Sequence, residues 1–406
     1  MRRITSVPIA ALTGLFLTAA LGAQQTPQAG IWTERLLASV PPGLSPTTAQ
    51  WDGWISVAPD LSSVAYAARF RAGELVRESM VFRDQQSAAY NFASRGVISP
   101  DGQHLAYIAV VESGPGLPAF LVVDKARVQI QYAETTLGGQ WIPVFSPDSS
   151  RVAFVAERPG RRHAIGVASV AAATGEVLPV EWGPEFDAVD QPRWSSDSAT
   201  LIYAAGRSRS EWVVIKNGNM IASAADITDV VVSPGGKVAF WASDGRKQFV
   251  GVDTERHPVF DKVGAPGFLP DGTLVYTVSD RGKHFANVGS SRVALTHAAE
   301  GVAVSADRSR ITPWYREDKG KKRRIVIDGM PGPEFVRVSR PTIHAESGVF
   351  AYTAEDERGF FVVTSRGRSP RYAGVLWKPV INDNGTMTAY AALEGRELRW
   401  KVEPLR

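Results

Sequence analysis

The sequence predicts an all-β protein built as one ring of repeated antiparallel sheets, and three observations carry this prediction. A pattern of strand, turn and strand recurs nine times, at spacings of 36 to 49 residues. Small and aromatic residues alternate after the turns, which is typical of half-buried strands. Outside the first 23 residues no segment has the periodicity of an amphipathic helix. The spacing accommodates four strands, so we expect a single β-propeller of eight to nine four-stranded blades.

The turn at the centre of each unit has a physical reason at every position. Its clearest copy is Phe145-Ser146-Pro147-Asp148. Proline presets the first dihedral angle of a turn, and an aspartate side chain can accept a hydrogen bond from the backbone two residues later. We therefore interpret the turn aspartates as backbone caps rather than as a ring of catalytic or calcium-binding carboxylates; they are Asp60, Asp101, Asp148, Asp197, Asp271 and Asp307.

Equivalent positions of the nine units predict how neighbouring blades pack. The residue before the turn serine position is large and apolar throughout: Val57, Ile98, Phe145, Trp194, Val232, Phe268, Val304, Ile343 and Ile381. An aromatic residue recurs in the next strand, at Tyr66, Tyr107, Phe154, Tyr203, Phe240, Tyr276, Tyr352 and Tyr390. A twisted sheet buries its faces against neighbouring sheets, so both columns are expected between blades. The seventh unit has Pro313 instead, followed by Trp314 and Tyr315, and there we expect a β-bulge or a locally displaced strand.

The amino-terminal segment is expected to pair with the last blade. We divide the chain into residues 1–23, a segment at 24–50 and the propeller at 51–406. The last unit has room for three strands, and the strand-like stretch 31–37 has no unit of its own. We expect residues 31–37 to pair with the strands of residues 379–404, because this pairing would close the ring and cover an open sheet edge.

The first 23 residues have the layout of a secretory signal peptide. Arg2 and Arg3 precede an apolar run from Val7 to Leu21 that ends in small residues. The run is short for a membrane span, although a retained anchor is the alternative, and no second apolar stretch reaches that length. We therefore expect an exported bacterial protein, periplasmic or secreted, with no transmembrane segment after signal removal. We also expect a monomer.

Charge and cysteine content exclude several classes of protein. The formal net charge is +4, and loss of Arg2 and Arg3 with the signal leaves +2, which removes the main electrostatic argument for binding nucleic acid. The chain contains no cysteine, so disulfides, thiolate metal sites, a cysteine nucleophile and a lipidated cysteine are excluded.

The repeat resembles that of TolB-type propellers. The resemblance is carried by turns such as Ser99-Pro100-Asp101-Gly102, followed by strands such as Leu105-Ala106-Tyr107 or Val152-Ala153-Phe154, and it spans about residues 51–404. The repeat is also similar to the propeller domain of prolyl-oligopeptidase and dipeptidyl-peptidase enzymes. The resemblance implies a propeller fold and, from TolB, a periplasmic protein that acts through protein contacts. We expect neither the separate α/β domain of TolB nor the hydrolase domain of the peptidases.

The motifs predict no catalytic residue, metal site or cofactor. The chain has no Gly-x-Ser-x-Gly motif. Ser99, Asp101 and His104 are close in sequence, but serine and aspartate recur in other units as turn residues, so we interpret them as a turn rather than a triad. The six histidines are not spaced as metal ligands, and His344, which takes the turn serine position, is interpreted as a turn substitution.

Basic side chains gather in the hairpins between second and third strands, which share one face of a propeller. The candidates for binding an anionic partner are Arg161, Arg162, Arg246, Lys247, Lys283, Lys321, Lys322, Arg323 and Arg324. The alternative is a set of solvated hairpins in which opposite charges face each other across a turn. Glu355, Asp356 and Glu357 interrupt the basic ring in the eighth unit.

These observations favour a non-catalytic exported propeller that binds a protein or an anionic envelope component. The alternative is a hydrolase or lyase at the mouth of the central channel, where propellers commonly hold ligands. That alternative requires several charged side chains pointing into the channel from the first strands. The sequence offers Asp187, Asp190 and Gln191 in one unit and little in the others.

Overall fold

The computed structural model confirms an all-β fold with nine blades arranged in a ring. It describes residues 32–46, 55–94, 96–111, 118–131, 142–172, 178–375 and 378–405. Within these ranges there is no α-helix, and a 3-10 helix lies at Val170–Ala172. No helix among the described residues is long and apolar enough to cross a membrane. The predicted signal peptide, residues 1–23, lies outside the described residues.

The first three blades follow β1 (Arg35–Ser39) in chain order. Blade 1 contains β2 (Ser45–Pro46), β3 (Ile55–Val57), β4 (Val64–Ala72), β5 (Leu75–Phe82) and β6 (Gln85–Gln86). Blade 2 contains β7 (Phe92–Ala93), β8 (Val97–Ile98), β9 (Leu105–Val110), β10 (Pro118–Val123) and β11 (Ala126–Gln131). Blade 3 contains β12 (Val144–Phe145), β13 (Arg151–Arg158), β14 (Arg162–Ser169) and β15 (Val180–Trp182).

Blades 4 to 6 repeat the same order. Blade 4 contains β16 (Ala188–Val189), β17 (Arg193–Trp194), β18 (Leu201–Ser208), β19 (Glu211–Lys216) and β20 (Asn219–Ala224). Blade 5 contains β21 (Asp226–Val232), β22 (Val238–Ser243), β23 (Gln248–Val252) and β24 (Glu255–Arg256). Blade 6 contains β25 (Lys262–Val263), β26 (Gly267–Phe268), β27 (Leu274–Asp280), β28 (Lys283–Val288) and β29 (Ser291–Leu295).

Blades 7 to 9 complete the ring. Blade 7 contains β30 (Gly301–Val304), β31 (Ile311–Lys319), β32 (Lys322–Ile327) and β33 (Met330–Pro331). Blade 8 contains β34 (Arg337–Val338), β35 (Thr342–Ile343), β36 (Phe350–Asp356), β37 (Gly359–Thr364) and β38 (Gly367–Arg368). Blade 9 contains β39 (Gly374–Val375), β40 (Val380–Ile381), β41 (Met387–Glu394) and β42 (Glu397–Pro404).

The innermost strand of most blades is interrupted, which shapes the channel. In blade 4, for example, β16 and β17 both pair with β18, and Asp190, Gln191 and Pro192 lie in the gap between them. A proline cannot donate a hydrogen bond to the neighbouring strand, so it is suited to such a gap. The gap residues belong to no sheet ladder, and they lie at the end of the blade closest to the axis.

The apolar column predicted from the sequence packs between blades. Nine apolar clusters lie at the nine interfaces between neighbouring blades, and each column residue contributes to a different cluster. The aromatic residues of the second strands contribute to eight of them. Tyr66, for example, packs in the interface where blade 9 meets blade 1, together with Leu398 and Trp400. The repeated sequence pattern is therefore the inter-blade core.

The amino-terminal strand pairs with the last blade, at bounds that differ slightly from the prediction. β1 runs antiparallel to β42, with Arg35 opposite Trp400 and Ser39 opposite Glu397. The strand covers Arg35–Ser39 rather than residues 31–37: Trp32, Thr33 and Glu34 lie outside the ladder, and residue 31 lies outside the described residues. Blade 9 thus has β1 as its outermost strand. That this pairing holds the ring closed remains a prediction.

In blade 7 the expected β-bulge at Pro313 is absent, and a displaced strand is present instead. β30 and β31 pair in regular register, from Gly301 with Trp314 to Val304 with Ile311. In blade 6 the Gly289 N–H of the third strand's end donates to Leu274 O, and Leu274 lies opposite Phe268 of the first strand. In blade 7 the equivalent donor is Asp328 N–H, and it bonds Pro313 O, two residues beyond Ile311. The third strand has moved by two residues, so each side chain stays on its own face of the sheet.

Candidate functional site

The loops of the propeller divide into two faces. The turn face carries the Ser-Pro-Asp turns and the tight turns between third and fourth strands. The hairpin face, on the opposite side, carries the hairpins between second and third strands and the connections between blades. Candidate residues from the sequence lie on both faces and in the channel between them.

On the turn face the aspartates cap the backbone. The Ser146 hydroxyl donates to Asp148 Oδ1 at 2.5 Å, and the same oxygen accepts the Ser150 N–H at 3.0 Å. The Ser305 hydroxyl bonds Asp307 in the same way, at 2.6 Å. These bonds stabilise the ionised carboxylate, so the pKa of Asp148 and that of Asp307 each fall to about 2. A carboxylate held ionised in this way is a poor general acid at neutral pH.

The turn face contains no serine triad at Ser99. The Ser99 hydroxyl donates to Asp101 Oδ1 at 2.5 Å, whereas His104 Nδ1 lies 2.7 Å from Asp124 Oδ2. The histidine ring is therefore directed at a different carboxylate and does not serve as a base for Ser99.

His344 has the structural role of the serine that it replaces. Its Nδ1 lies 2.8 Å from Ser347 Oγ within its own turn, and its Nε2 lies 2.8 Å from Asp383 O of blade 9. It thus links two neighbouring turns. Among the described residues no group of three or more His, Asp and Glu side chains is arranged to hold a metal ion.

The predicted basic residues lie on the hairpin face, and about half of them form ion pairs. Arg162 pairs with Asp187, and Lys247 with Asp261, each across the connection to the next blade. Arg323 Nε lies 3.3 Å from Asp318 Oδ1, and Arg324 Nε donates to Glu317 Oε2 at 2.6 Å. Within the described part of the chain, the side chains without an acidic partner are those of Arg161, Arg246, Lys283, Lys321 and Lys322.

The excess of positive charge is concentrated in the blade 7 hairpin. Residues 316–324 contain six positive and two negative side chains, a net charge of +4. The neighbouring hairpin of blade 8, residues 355–358, contains three negative and one positive side chain, a net charge of −2. Lys321 and Lys322 lie at the tip of the blade 7 hairpin and are exposed.

This hairpin also projects farther than most others. The second strands of blades 1 and 7, β4 and β31, each have nine residues, against six to eight in the remaining blades. Two extra residues of strand extend a hairpin by about 6–7 Å. The tip of the blade 7 hairpin therefore stands above the surrounding loops.

The channel contains a cluster of charged residues that the sequence analysis identified only in part. Asp190 and Arg193 come from blade 4, Asp229 from blade 5 and Arg340 from blade 8. Burial lowers the pKa of Arg193 and of Arg340, and the negative charge of Asp229 opposes this lowering in both. Burial raises the pKa of Asp190, and the charge of Asp229 raises it further. Blades 4 and 8 lie on opposite sides of a nine-blade ring, and the charge of Arg193 lowers the pKa of Arg340 further, so the two arginines act on each other across the axis.

Of the three residues that the sequence offered for the channel, two lie there. Gln191 is in the gap beside Asp190, and its Nε2 donates to Ile142 O of blade 3 at 2.5 Å. Asp187 is on the hairpin face, where it pairs with Arg162. Two of the three residues that were missed lie next to a proline of an innermost strand, since Arg193 follows Pro192 in blade 4 and Arg340 precedes Pro341 in blade 8. Asp229 has a positive φ of 50° at an irregularity in β21, which no sequence motif marks.

Comparisons with known proteins identify similar solved structures. No family model and no curated protein matches the chain. TolB from Acinetobacter baumannii is 16% identical, with 58% of this chain and 64% of that chain covered and a TM-score of 0.31. The β-propeller domain of the Trilobed protease from Pyrococcus furiosus is 16% identical, with 78% and 95% covered and a TM-score of 0.37. The dihydro-heme d1 dehydrogenase NirN is 14% identical, with 77% and 73% covered and a TM-score of 0.42. The first two are of the kinds that the repeat resembles, and at these identities none of the three indicates an activity.

Proposed function

We propose that this protein is an exported, non-catalytic propeller that binds a protein or an anionic component of the bacterial envelope through its hairpin face. The observation that carries the proposal is the blade 7 hairpin, which projects, has a net charge of +4 and presents Lys321 and Lys322 without acidic partners among the described residues. Export is inferred from the signal-like segment at residues 1–23. Ion pairs reduce the charge of the other basic hairpins, so binding should depend mainly on blade 7.

The proposal is tested by capture from envelope extract. The full chain is immobilised and incubated with the extract at low and at high salt, because contacts between exposed charges weaken as ionic strength rises. Replacing Lys321, Lys322, Arg323 and Arg324 together by serine should abolish a salt-sensitive interaction. Lys321→Ser/Lys322→Ser alone should remove most of it, because no acidic side chain among the described residues offsets the charge of these two lysines. Their replacement also breaks no ion pair. A matched control is Lys125→Ser/Lys237→Ser, which removes two exposed lysines from the turn face. Capture that survives the fourfold substitution would contradict the proposal.

A second candidate, an enzyme at the channel mouth, is favoured by the charged cluster of the channel. Burial raises the pKa of Asp190, which suits a carboxylic acid that donates a proton, and Arg193 and Arg340 could stabilise negative charge that develops on a substrate. This candidate predicts that the wild-type protein converts an envelope glycan or peptide and that Asp190→Asn does not. Absence of any product with envelope fractions would leave the binding function as the better account.

A further inference from the structure

The exposed apolar side chains of the propeller are distributed unevenly between its faces. Four of the large ones lie on outermost strands, namely Leu36, Met220, Val293 and Met330. The other five lie on the hairpin face or in its connections, namely Leu75, Val76, Val111, Val259 and Val336. Of these nine residues, Met330 lies at the edge of the turn face, because it closes the tight turn at Asp328 and Gly329. The face that carries the excess basic charge therefore also carries five of the nine large apolar residues that are exposed in the described part of the chain.

Among the described residues, the exposed apolar side chains extend farthest from the disc in blade 1. Leu75 and Val76 follow the turn at Gly73 and Glu74, and they are 56% and 59% exposed. β4 is one of the two nine-residue second strands, so this hairpin projects as the blade 7 hairpin does. Arg71, on the opposite strand of the hairpin, is also exposed. Blade 1 thus presents an apolar tip and blade 7 a cationic tip at a similar height.

A flat target fits this arrangement better than a folded partner does. Two tips that stand above a disc can touch a plane simultaneously. The other exposed aliphatic residues described on this face, Val111, Val259 and Val336, come from blade 2 and from the connections after blades 5 and 7, whereas a protein interface has a contiguous apolar core. The hairpins of blades 8 and 9 lie between the two, and their second strands have seven and eight residues, so both stay behind the tips. An anionic bilayer attracts each lysine or arginine near its surface by about 1 kcal/mol and accepts aliphatic side chains into its interface.

We propose that the hairpin face docks on an anionic lipid bilayer, with Leu75 and Val76 entering the interface and Lys321 and Lys322 contacting lipid phosphates. The inference rests on the proposed function, of which it specifies the anionic envelope component. Glu74 at the apolar tip opposes an anionic surface, so its removal should strengthen the contact rather than weaken it.

Co-sedimentation with vesicles tests the inference. The full chain is mixed with vesicles of phosphatidylglycerol and phosphatidylcholine, or of phosphatidylcholine alone, at low and at high salt. We expect binding to the anionic vesicles only, and a loss of about tenfold or more in Leu75→Ser/Val76→Ser and in Lys321→Ser/Lys322→Ser. Glu74→Gln should bind about fivefold more tightly. Met330→Ser, which alters a side chain 75% exposed on an outermost strand, and Lys125→Ser on the turn face are the matched controls.

The outcomes separate this inference from the proposed function. Equal binding to both vesicle types, or equal losses in the control variants, would overturn the inference. If the vesicles are not bound but envelope protein is still captured in a manner that depends on Lys321 and Lys322, the face binds a protein and only the lipid inference fails. If neither vesicles nor extract components bind, both proposals fail.

Discussion

The two sides of blade 7 differ in how much apolar surface they bury. Towards blade 8 the interface contains nine buried apolar residues, among them Trp314, Tyr352 and Phe361. Towards blade 6 it contains three valines, Val275, Val288 and Val304, with Leu269, Val302 and Ile311 partly buried around them. The same blade therefore contributes to a large interface and to the smallest of the nine.

The cause is the single exception in the aromatic column. In the other blades an aromatic residue of the second strand packs against the preceding blade, whereas blade 7 has Pro313 at that place and directs Trp314 towards blade 8. Polar contacts partly replace the lost packing, since Arg308 reaches Asp271 at 2.8 Å and the Thr277 hydroxyl donates to Ala299 O at 2.9 Å. One position of the repeat thus determines the strength of one interface, and we expect local opening of the ring to begin between blades 6 and 7.

The largest expected effect concerns the interface between blades 9 and 1. We expect this interface to be stronger than the one between blades 6 and 7 because β1 covers it. Deletion of residues 32–39 uncovers Leu398 and Trp400, which are buried beneath the amino-terminal strand, and should destabilise the fold by on the order of 5 kcal/mol. Urea unfolding and limited proteolysis measure the change. If the midpoint is unchanged, β1 does not hold the ring closed and apolar packing between the two blades suffices.

The comparison is tested directly by one truncation on each side of blade 7. Trp314→Ala removes the largest side chain of the interface with blade 8 and should cost about 3–5 kcal/mol, whereas Val304→Ala on the other side should cost about 2 kcal/mol. Chemical denaturation gives both values. Equal losses would show that the two interfaces contribute alike, against our interpretation. Hydrogen exchange adds a second readout, because amides of β30 should exchange sooner than those of β34 and β35.

A smaller effect isolates the hydrogen bond that Pro313 cannot make. In blade 5 the Asp253 carboxylate accepts the Val238 N–H at 3.0 Å, but in blade 7 the equivalent residue, Asp328, faces a proline that has no N–H. Both aspartates have a positive φ, 49° and 51°, so replacement by alanine causes similar backbone strain in each. We expect Asp253→Ala to cost about 1 kcal/mol more than Asp328→Ala in thermal or urea unfolding. Equal costs would mean that the carboxylate cap is not stabilising.

The smallest expected effect concerns the turn of blade 7. Because the pKa of Asp307 is lowered from 3.8 to about 2, its contribution to stability is complete above pH 3.8 and is lost as the pH falls through 2. Ser305→Ala removes the hydrogen bond that lowers this pKa and should raise it, so that the variant loses less stability than the wild type across this window. An NMR titration of the aspartates reports the pKa. An Asp307 pKa that does not change in Ser305→Ala would exclude the serine as its cause.

The sequence allowed the blades to be predicted more completely than the charged sites. Residues such as Phe145 and Tyr203 repeat the same local pattern, and local pattern decides which face of a strand is buried, so the inter-blade core could be predicted position by position. The partners of Arg162 and Lys247 could not, because Asp187 and Asp261 reach them from the next blade. The interaction of Arg193 with Arg340 depends on the number of blades, because that number determines which blades face each other across the axis. Long-range geometry of this kind has no local signature.

The displaced third strand of blade 7 shows how a loop can be lengthened on a ring of packed blades. Side chains of a strand alternate with a period of two, so a step of one residue would exchange the buried and exposed sides of β32, while a step of two leaves them unchanged. Elongation is therefore permitted in pairs of residues. A propeller of this type can raise any one of its hairpins towards a target in increments of about 6–7 Å without repacking the adjoining blades.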